Sequence, residues 1–202
     1  MSMFFTADLH LGHDAIRTLA PRPFDSVEEM DQTIIDRWNE TVGADDEVFI
    51  LGDYALGDRQ KALDRLTEMV GTKYLILGNH DRPSAAMRNG HRYQRMYFEA
   101  GFEAVLDVAE VSLPPLTKRG PAMRVMLSHY PYSGEHGDLD DRHAQLRLRD
   151  LGKPLVHGHV HDEWTTRLSD AGTPMVNVGV ERHDYRPVPA HEVHRLLAEM
   201  TR

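Results

Sequence analysis

The sequence has no cysteine among its 202 residues. That excludes disulfides, thiolate nucleophiles and cysteine-held zinc or iron–sulfur sites. It has no long apolar run either, and a bilayer-spanning helix needs roughly 20 such residues in a row. The opening residues, MSMFFTADLH, lack a basic segment followed by an apolar one, so no secretory leader is expected. Positive charge is in short supply: 23 Lys and Arg stand against 32 Asp and Glu, a formal net charge of −9. Such a balance opposes broad electrostatic attachment to a nucleic-acid backbone. These absences predict a cytoplasmic chain with no membrane attachment and no stable nucleic-acid partner. Apolar residues make up 41% of the sequence, enough for a core, and the length suits one domain over residues 1–202.

What the chain does have is a repeated pattern of short apolar runs ending in polar residues. Residues 3–7 run into Asp8-Leu9-His10, and residues 48–51 into Gly52-Asp53. Residues 74–77 run into Gly78-Asn79-His80-Asp81, and residues 125–127 into Ser128-His129. Leu155-Val156 leads to His157-Gly158-His159-Val160-His161, and residues 175–178 end at Gly179. Runs this short, flanked by glycine and rich in β-branched residues, read as buried strands.

Helical signals separate the first strands. Ser26 and Glu29 form a capping box ahead of Val27, Met30, Ile34, Trp38 and Val42, which recur at helical spacing up to Gly43. Ala62, Leu63, Leu66, Met69 and Val70 make a second apolar face ending at Gly71. Residues 83–100 read as a weaker helix broken near Asn89-Gly90, and Val193, Leu196, Leu197 and Met200 as a C-terminal one. Alternating strands and helices predict βαβ units with a mostly parallel sheet, the later strands pairing antiparallel. Ligands of such sheets bind at the carboxyl ends of strands, where every polar cluster falls.

Taken singly, each cluster has a bland reading. Gly52-Asp53 serves equally as a turn or cap, and a lone His129 reads better as a satisfied core histidine. In an extended segment residues i and i+2 face one side, so Asp8 with His10, and His159 with His161, are each expected to face a common point. Gly158 is read as permitting a tight turn there. Together the clusters supply two Asp, one Asn and four His, which are ligands for borderline divalent ions. Seven donors exceed the demand of one closed tetrahedral zinc and suit two metals.

The ordered series Asp8-x-His10, Gly52-Asp53, Gly78-Asn79-His80-Asp81, His129 and Gly158-His159-Val160-His161 resembles the calcineurin-like metallophosphoesterase superfamily. Arg22-Pro23-Phe24, Trp38-Asn39 and Asn177-Val178-Gly179-Val180 further resemble its compact bacterial and phage branch. The resemblance implies an α/β fold, a double β-sheet sandwich flanked by helices in a single domain. It implies two divalent metal ions, manganese first, with iron, zinc, nickel, cobalt or magnesium as alternatives. Asp8, His10 and His161 would hold the first ion, Asn79, His129 and His159 the second, and Asp53 would bridge them. His80 would be the general acid, oriented by Asp81.

The reaction expected from this set is hydrolysis of a small phosphoester, a nucleotide among the candidates, by a hydroxide bridging the metals. Phosphodiesters, cyclic nucleotides included, are preferred over monoesters. The acidic balance does not oppose such a substrate, because bound divalent ions reverse the local sign. His13, Asn79 and Arg142 are the candidate substrate contacts, and the polar stretch 132–153 is a candidate rim. The alternatives are a metal-dependent nuclease, which needs a basic track, and a non-catalytic scaffold, which the presence of His80 and all seven ligands disfavours.

Overall fold

The structure, a computed structural model, describes residues 1–137 and 140–201. Asp138 and Leu139, inside the expected rim, and Arg202, the end of the expected domain, lie outside the described residues.

Among the described residues ten strands form two five-stranded sheets. The first contains β1 (Met3–Thr6), β2 (Glu47–Leu51), β3 (Thr72–Ile76) and β4 (Ala104–Leu106), all parallel, with β10 (Val188–Pro189) antiparallel beside β1. The second contains β5 (Ala109–Leu113), β6 (Met123–Leu127), β7 (Leu155–His157), β8 (Thr166–Leu168) and β9 (Pro174–Asn177), in the order β5-β6-β7-β9-β8. Its inner pairs, β6–β7 and β7–β9, are parallel, and its outer pairs are antiparallel. The helices are α1 (Ile16–Leu19), α2 (Val27–Thr41), α3 (Arg59–Asp64), α4 (Gln94–Ala100) and α5 (Ala190–Glu199).

The first sheet is buried on both faces, which explains why its strands read as continuous apolar runs. Successive side chains of β2 alternate between two cores. Val48 and Ile50 join a core with Met30, Ile34 and Trp38 of α2. Phe49 and Leu51 join one with Val125, Leu127, Val156 and Val176 of the second sheet. The second core is the filling of the sandwich, and α5 adds Val193 and Leu197 to it. Phe5, Phe49 and Tyr74 lie side by side across the strands, with ring centroids 5.8 and 4.8 Å apart.

Local chemistry explains where helices begin and stop. The Ser26 side chain accepts the Glu29 amide at 3.1 Å, as the capping box requires. Glu29 reaches back one residue further than that pattern, accepting the Asp25 amide at 2.7 Å. At the other end Trp38 is buried and donates its indole N–H to the Val70 carbonyl at 2.9 Å. Asn39 adds two bonds, to the Glu68 carbonyl and from the Val70 amide. Trp38-Asn39 therefore fastens α2 to the turn that precedes β3. The second expected helix tightens after Asp64 into a 3-10 turn, Arg65–Glu68, and leaves Val70 partly exposed.

The helix expected over residues 83–100 is confined to Gln94–Ala100. Residues 84–90 form i→i−3 turns, with Ser84, Met87 and Gly90 amides bonded three residues back. Asn89, in the left-handed region at φ 59°, then redirects the chain into a 3-10 turn, Gly90–Tyr93. Among the described residues no helix is long and apolar enough to cross a membrane.

Ser26→Ala is expected to lower unfolding free energy by about 1 kcal/mol through loss of the cap. Trp38→Ala is expected to cost roughly 3–5 kcal/mol through the cavity it leaves. Urea denaturation of the two variants measures both.

Candidate metal centre

The carboxyl ends of β1, β2, β3, β6 and β7 meet at one edge of the sandwich. There the two sheets are joined by a parallel bridge between Ala7 and Gly179, with the Val180 amide donating to the Ala7 carbonyl. The Asp8 amide donates to Gly52 and the Gly158 amide to His129, so the loops that carry the polar clusters interlock through their own backbones.

The side chains converge by a route different from the extended geometry expected. Asp8 and His10 have φ of 58° and 52°, Asp53 has 53°, and His159 and His161 have 74° and 46°. All five occupy the left-handed region, which costs a non-glycine residue on the order of 1 kcal/mol each. Strand geometry ends before them: β1 stops at Thr6 and β7 at His157. It is alternate left-handed turns, pinned by His10 to Asp53 and Leu11 to Tyr54 backbone bonds, that bring Asp8 and His10 to one point. Gly158 also has a different reason from a tight turn. A Cβ there would stand 2.5 Å from an Asp8 carboxylate oxygen, so glycine is needed for close approach. Gly78 makes the same room for Asp53, whose Oδ1 would lie 2.2 Å from an added Cβ.

Donor atoms of Asp8, His10 and His161 lie within 4.8 Å of one another, as do those of Asp8, Asp53 and His129. Asn79 Oδ1 is 3.2 Å from His129 Nε2, and the His159 ring centroid is 5.1 Å from that of His129. Asp8, His10, Asp53, His129 and His159 are buried. Asp8 Oδ1 and His10 Nε2 have no hydrogen-bond partner at all. Burial pushes the Asp8 carboxyl up to about 8, the His161 ring opposing the shift. Burial would also raise Asp53, but the facing rings of His129 and His80 more than offset it.

The histidine tautomers make the point sharper. His129 Nδ1 donates to the Leu51 carbonyl at 2.8 Å, which leaves Nε2 as a bare lone pair. That lone pair faces the oxygens of Asn79 and Asp53, at 3.2 and 3.5 Å. His161 Nδ1 donates to Glu181 at 2.9 Å, and His159 Nε2 donates to Glu135 at 3.0 Å. In each case an acceptor outside the cluster engages one ring nitrogen, the arrangement common behind metal-bound histidines. Burial would lower His161, but its bond to Glu181 and the facing Asp8 raise it to about 9, so an ion would displace a proton there. Two carboxyl groups, an amide oxygen and imidazole nitrogens crowded into one buried volume fit divalent cations.

Several supporting residues escaped the sequence reading. Arg22, buried, donates to the Asp8 and Leu9 carbonyls and pairs with Glu181. Asn177 donates to the His161 and Trp164 carbonyls and accepts the Gly179 amide. Glu181 carried no signal in the sequence, and Glu135 lay in the expected rim without being singled out, since each is an isolated acid outside the metal-ligand motifs. Arg22 and Asn177 did lie in stretches noted for their likeness to the compact branch.

Asp81 is corrected. Its Oδ2 accepts the Asp53 and Gly78 amides at 2.9 and 2.8 Å, and its Oδ1 accepts the Tyr54 amide at 3.1 Å. The carboxylate is fully buried and engaged with backbone, so it braces the loops of Asp53 and Asn79 and does not orient the His80 ring. His80 is instead held by its own amide, which donates to Asp53 Oδ1 at 2.8 Å. Its half-exposed ring lies with Nε2 4.0 Å from Asp53 Oδ2.

His13 and Arg142 line a cleft of about 370 Å³ together with His10, His80, His136 and His161. Ile16, Leu19, Ala20 and Leu56 add apolar surface to its lining. Asn79 stands at the His129 end of the cluster, and His13 Nδ1 is 3.3 Å from His10 Nδ1. Arg82 is bonded to the Tyr93 hydroxyl and stacked on that ring.

Residues 1–167 match the family model of calcineurin-like phosphoesterases, and the chain belongs to that family. Over 164 residues it is 44% identical to the Gene 66 protein of Mycobacterium phage L5, covering 78% of this chain and 76% of that one. It is 34% identical over 203 residues to the Gene 66 protein of Mycobacterium phage D29, covering 98% and 97%. Among solved structures, the protein of unknown function AQ665 from Aquifex aeolicus shares the fold, with a TM-score of 0.65 and 24% identity over 96% of this chain and 98% of that one. Family membership makes metal-dependent hydrolysis of a phosphoester the reaction class.

Divalent metal is expected to raise the Tm of metal-free protein by several degrees and a chelator to reverse it, since only the folded state presents the cluster. Asp81→Ala is expected to cost on the order of 3 kcal/mol or more by stranding three buried amides. It should also blunt the metal-induced rise in Tm. Thermal scans with and without manganese read both effects.

Proposed function

We propose that this protein is a two-metal hydrolase of small phosphoesters, with phosphodiesters, cyclic nucleotides included, as its preferred substrates. The observation that carries the reading is the crowding of oxygen and nitrogen donors at one buried edge: Asp8, His10 and His161 on one side, His129 and Asn79 on the other, and Asp53 near both. Asp8, His10 and His161 would hold one ion, Asn79, His129 and His159 the other, and Asp53 would contact both. Bound there, two divalent ions would neutralise phosphoryl oxygens and acidify a water. Manganese is the first choice among the ions this donor set accepts.

The remaining chemistry falls to the chain. His80 stands half-exposed in the same cleft, its backbone fixed to Asp53. It is suited to give a proton to the departing alkoxide, a role worth about 10²–10⁴-fold when geometry is right. His13 and Arg142 offer donors to phosphoryl oxygens. Ile16, Leu19, Ala20 and Leu56 offer an apolar surface to the organic part of the ester. A chain with formal charge −9 and short basic groups supports a small substrate over a polymer.

His80→Ala is expected to retain metal content and lose 10²-fold or more in kcat with a poor leaving group, while Asp53→Ala loses metal as well. Metal analysis beside turnover of bis(p-nitrophenyl) phosphate separates the two. Manganese-loaded protein assayed against that diester, p-nitrophenyl phosphate, cyclic nucleotides and short oligonucleotides gives the substrate class. Fastest cleavage of oligonucleotides, with steep salt dependence, would overturn the small-substrate reading. Undiminished hydrolysis by metal-free protein would overturn the mechanism.

A further inference from the structure

Glu135 is an acid with no role in the reading above, and its surroundings are those of a functional group. Its side chain is completely buried on the loop after β6. Both oxygens are heavily used. Oε1 lies 3.0 Å from His159 Nε2, 3.0 Å from the Arg142 guanidinium and 3.0 Å from the His136 amide. Oε2 accepts from the Arg147 guanidinium at 2.9 Å and from the Arg142 amide at 3.0 Å. Burial would raise this carboxyl, but the bonds from His159 and Arg142 hold it well below the usual carboxylate range.

The two arginines differ. Arg147 is almost fully buried and also donates to the Pro131 and Gly134 carbonyls, so it neutralises Glu135 and closes the loop on itself. Arg142 has half its side chain exposed and lines the cleft beside His13, His80 and His136. A purely structural acid would need Arg147 alone. The bond to His159 does something further. It keeps the proton on Nε2, so the only lone pair left on that ring is Nδ1.

We propose that Glu135 is a positioning residue joining two parts of the site. It holds His159 with Nδ1 free for a metal ion, and it sets Arg142 over the cleft to meet an anionic group of the substrate. The proposal rests on the two-metal reading. It makes the loop after β6 the element through which metal loading and substrate affinity depend on one carboxylate.

The experiment compares wild type with Glu135→Gln, Glu135→Ala and Arg142→Ala. Manganese is titrated into metal-free protein by calorimetry, and kcat and KM are measured with bis(p-nitrophenyl) phosphate. Glu135→Ala is expected to weaken one of two manganese sites by about 10–100-fold and leave the other near its wild-type affinity. Glu135→Gln retains an oxygen to accept from His159, so it should recover most of that affinity. It loses the charge that holds Arg142, so its KM should stay raised by about tenfold. Arg142→Ala should raise KM similarly with both manganese affinities unchanged.

Should Glu135→Ala fail to fold, Glu135→Gln against Arg142→Ala carries the test: a raised KM in both, with both ions bound, is required. Two manganese ions bound by Glu135→Ala at wild-type affinity would overturn the role at His159. A wild-type KM in Glu135→Gln would overturn the role at Arg142. Wild type binding fewer than two ions would bring down the two-metal reading, and this role with it.

Discussion

Oxygen and nitrogen donors crowded at one buried edge are the constraint on which the rest of this structure depends. His129 turns one ring nitrogen to Leu51, His159 to Glu135 and His161 to Glu181, so one nitrogen of each ring remains for the cluster. Asp8, Asp53 and Asn79 add oxygens to the same small volume. Packed together in a protein interior, such groups repel unless a cation separates them. The donor set is thus assembled ahead of any ion, at a cost to the fold.

The fold meets that cost with buried bracing. Asp81 gathers three amides and fixes the loop of Asp53 against that of Asn79. Arg22 does the complementary work with carbonyls, gripping the backbone of Asp8 and Leu9 while pairing with Glu181 behind His161. Asn177 holds the carbonyl of His161. Asp81 on the Asp53 amide, Arg22 on the Asp8 carbonyl, Asp8 on the His159 amide and Asn177 on the His161 carbonyl tie down four of the residues held in left-handed conformations. This is the pattern expected where strain is retained for a function.

The cleft above the cluster has two characters. Its lining combines imidazoles and a guanidinium with the apolar side chains of Ile16, Leu19, Ala20 and Leu56. An acidic chain can receive an anion there because its sign is reversed locally. The Arg142 guanidinium contributes to that reversal, and divalent ions bound below would complete it. The apolar side chains give the organic portion of an ester a surface to leave water for.

Much was legible in the sequence because it depends on local spacing. Apolar runs broken by Asp, Asn and His mark strands and their carboxyl ends. Ser26 and Glu29 mark the start of α2, and the histidines and acids of the clusters bring their chemistry with them. Other features depend on the approach of residues far apart in the chain. The bond from Glu135 to His159, the grip of Arg22 on Asp8 and Glu181, and the bonds from the Asp53 and Tyr54 amides to Asp81 exist only once the loops at the strand ends have packed together. A single acid or arginine has no periodicity to reveal it, and the sequence assigned Asp81 to the His80 ring when its partners are backbone. The sequence by itself determined which donor atoms are available and in what order. The tertiary structure decided which nitrogen of each ring is free and which backbone is strained, because those follow from contacts between segments that meet only in the folded chain.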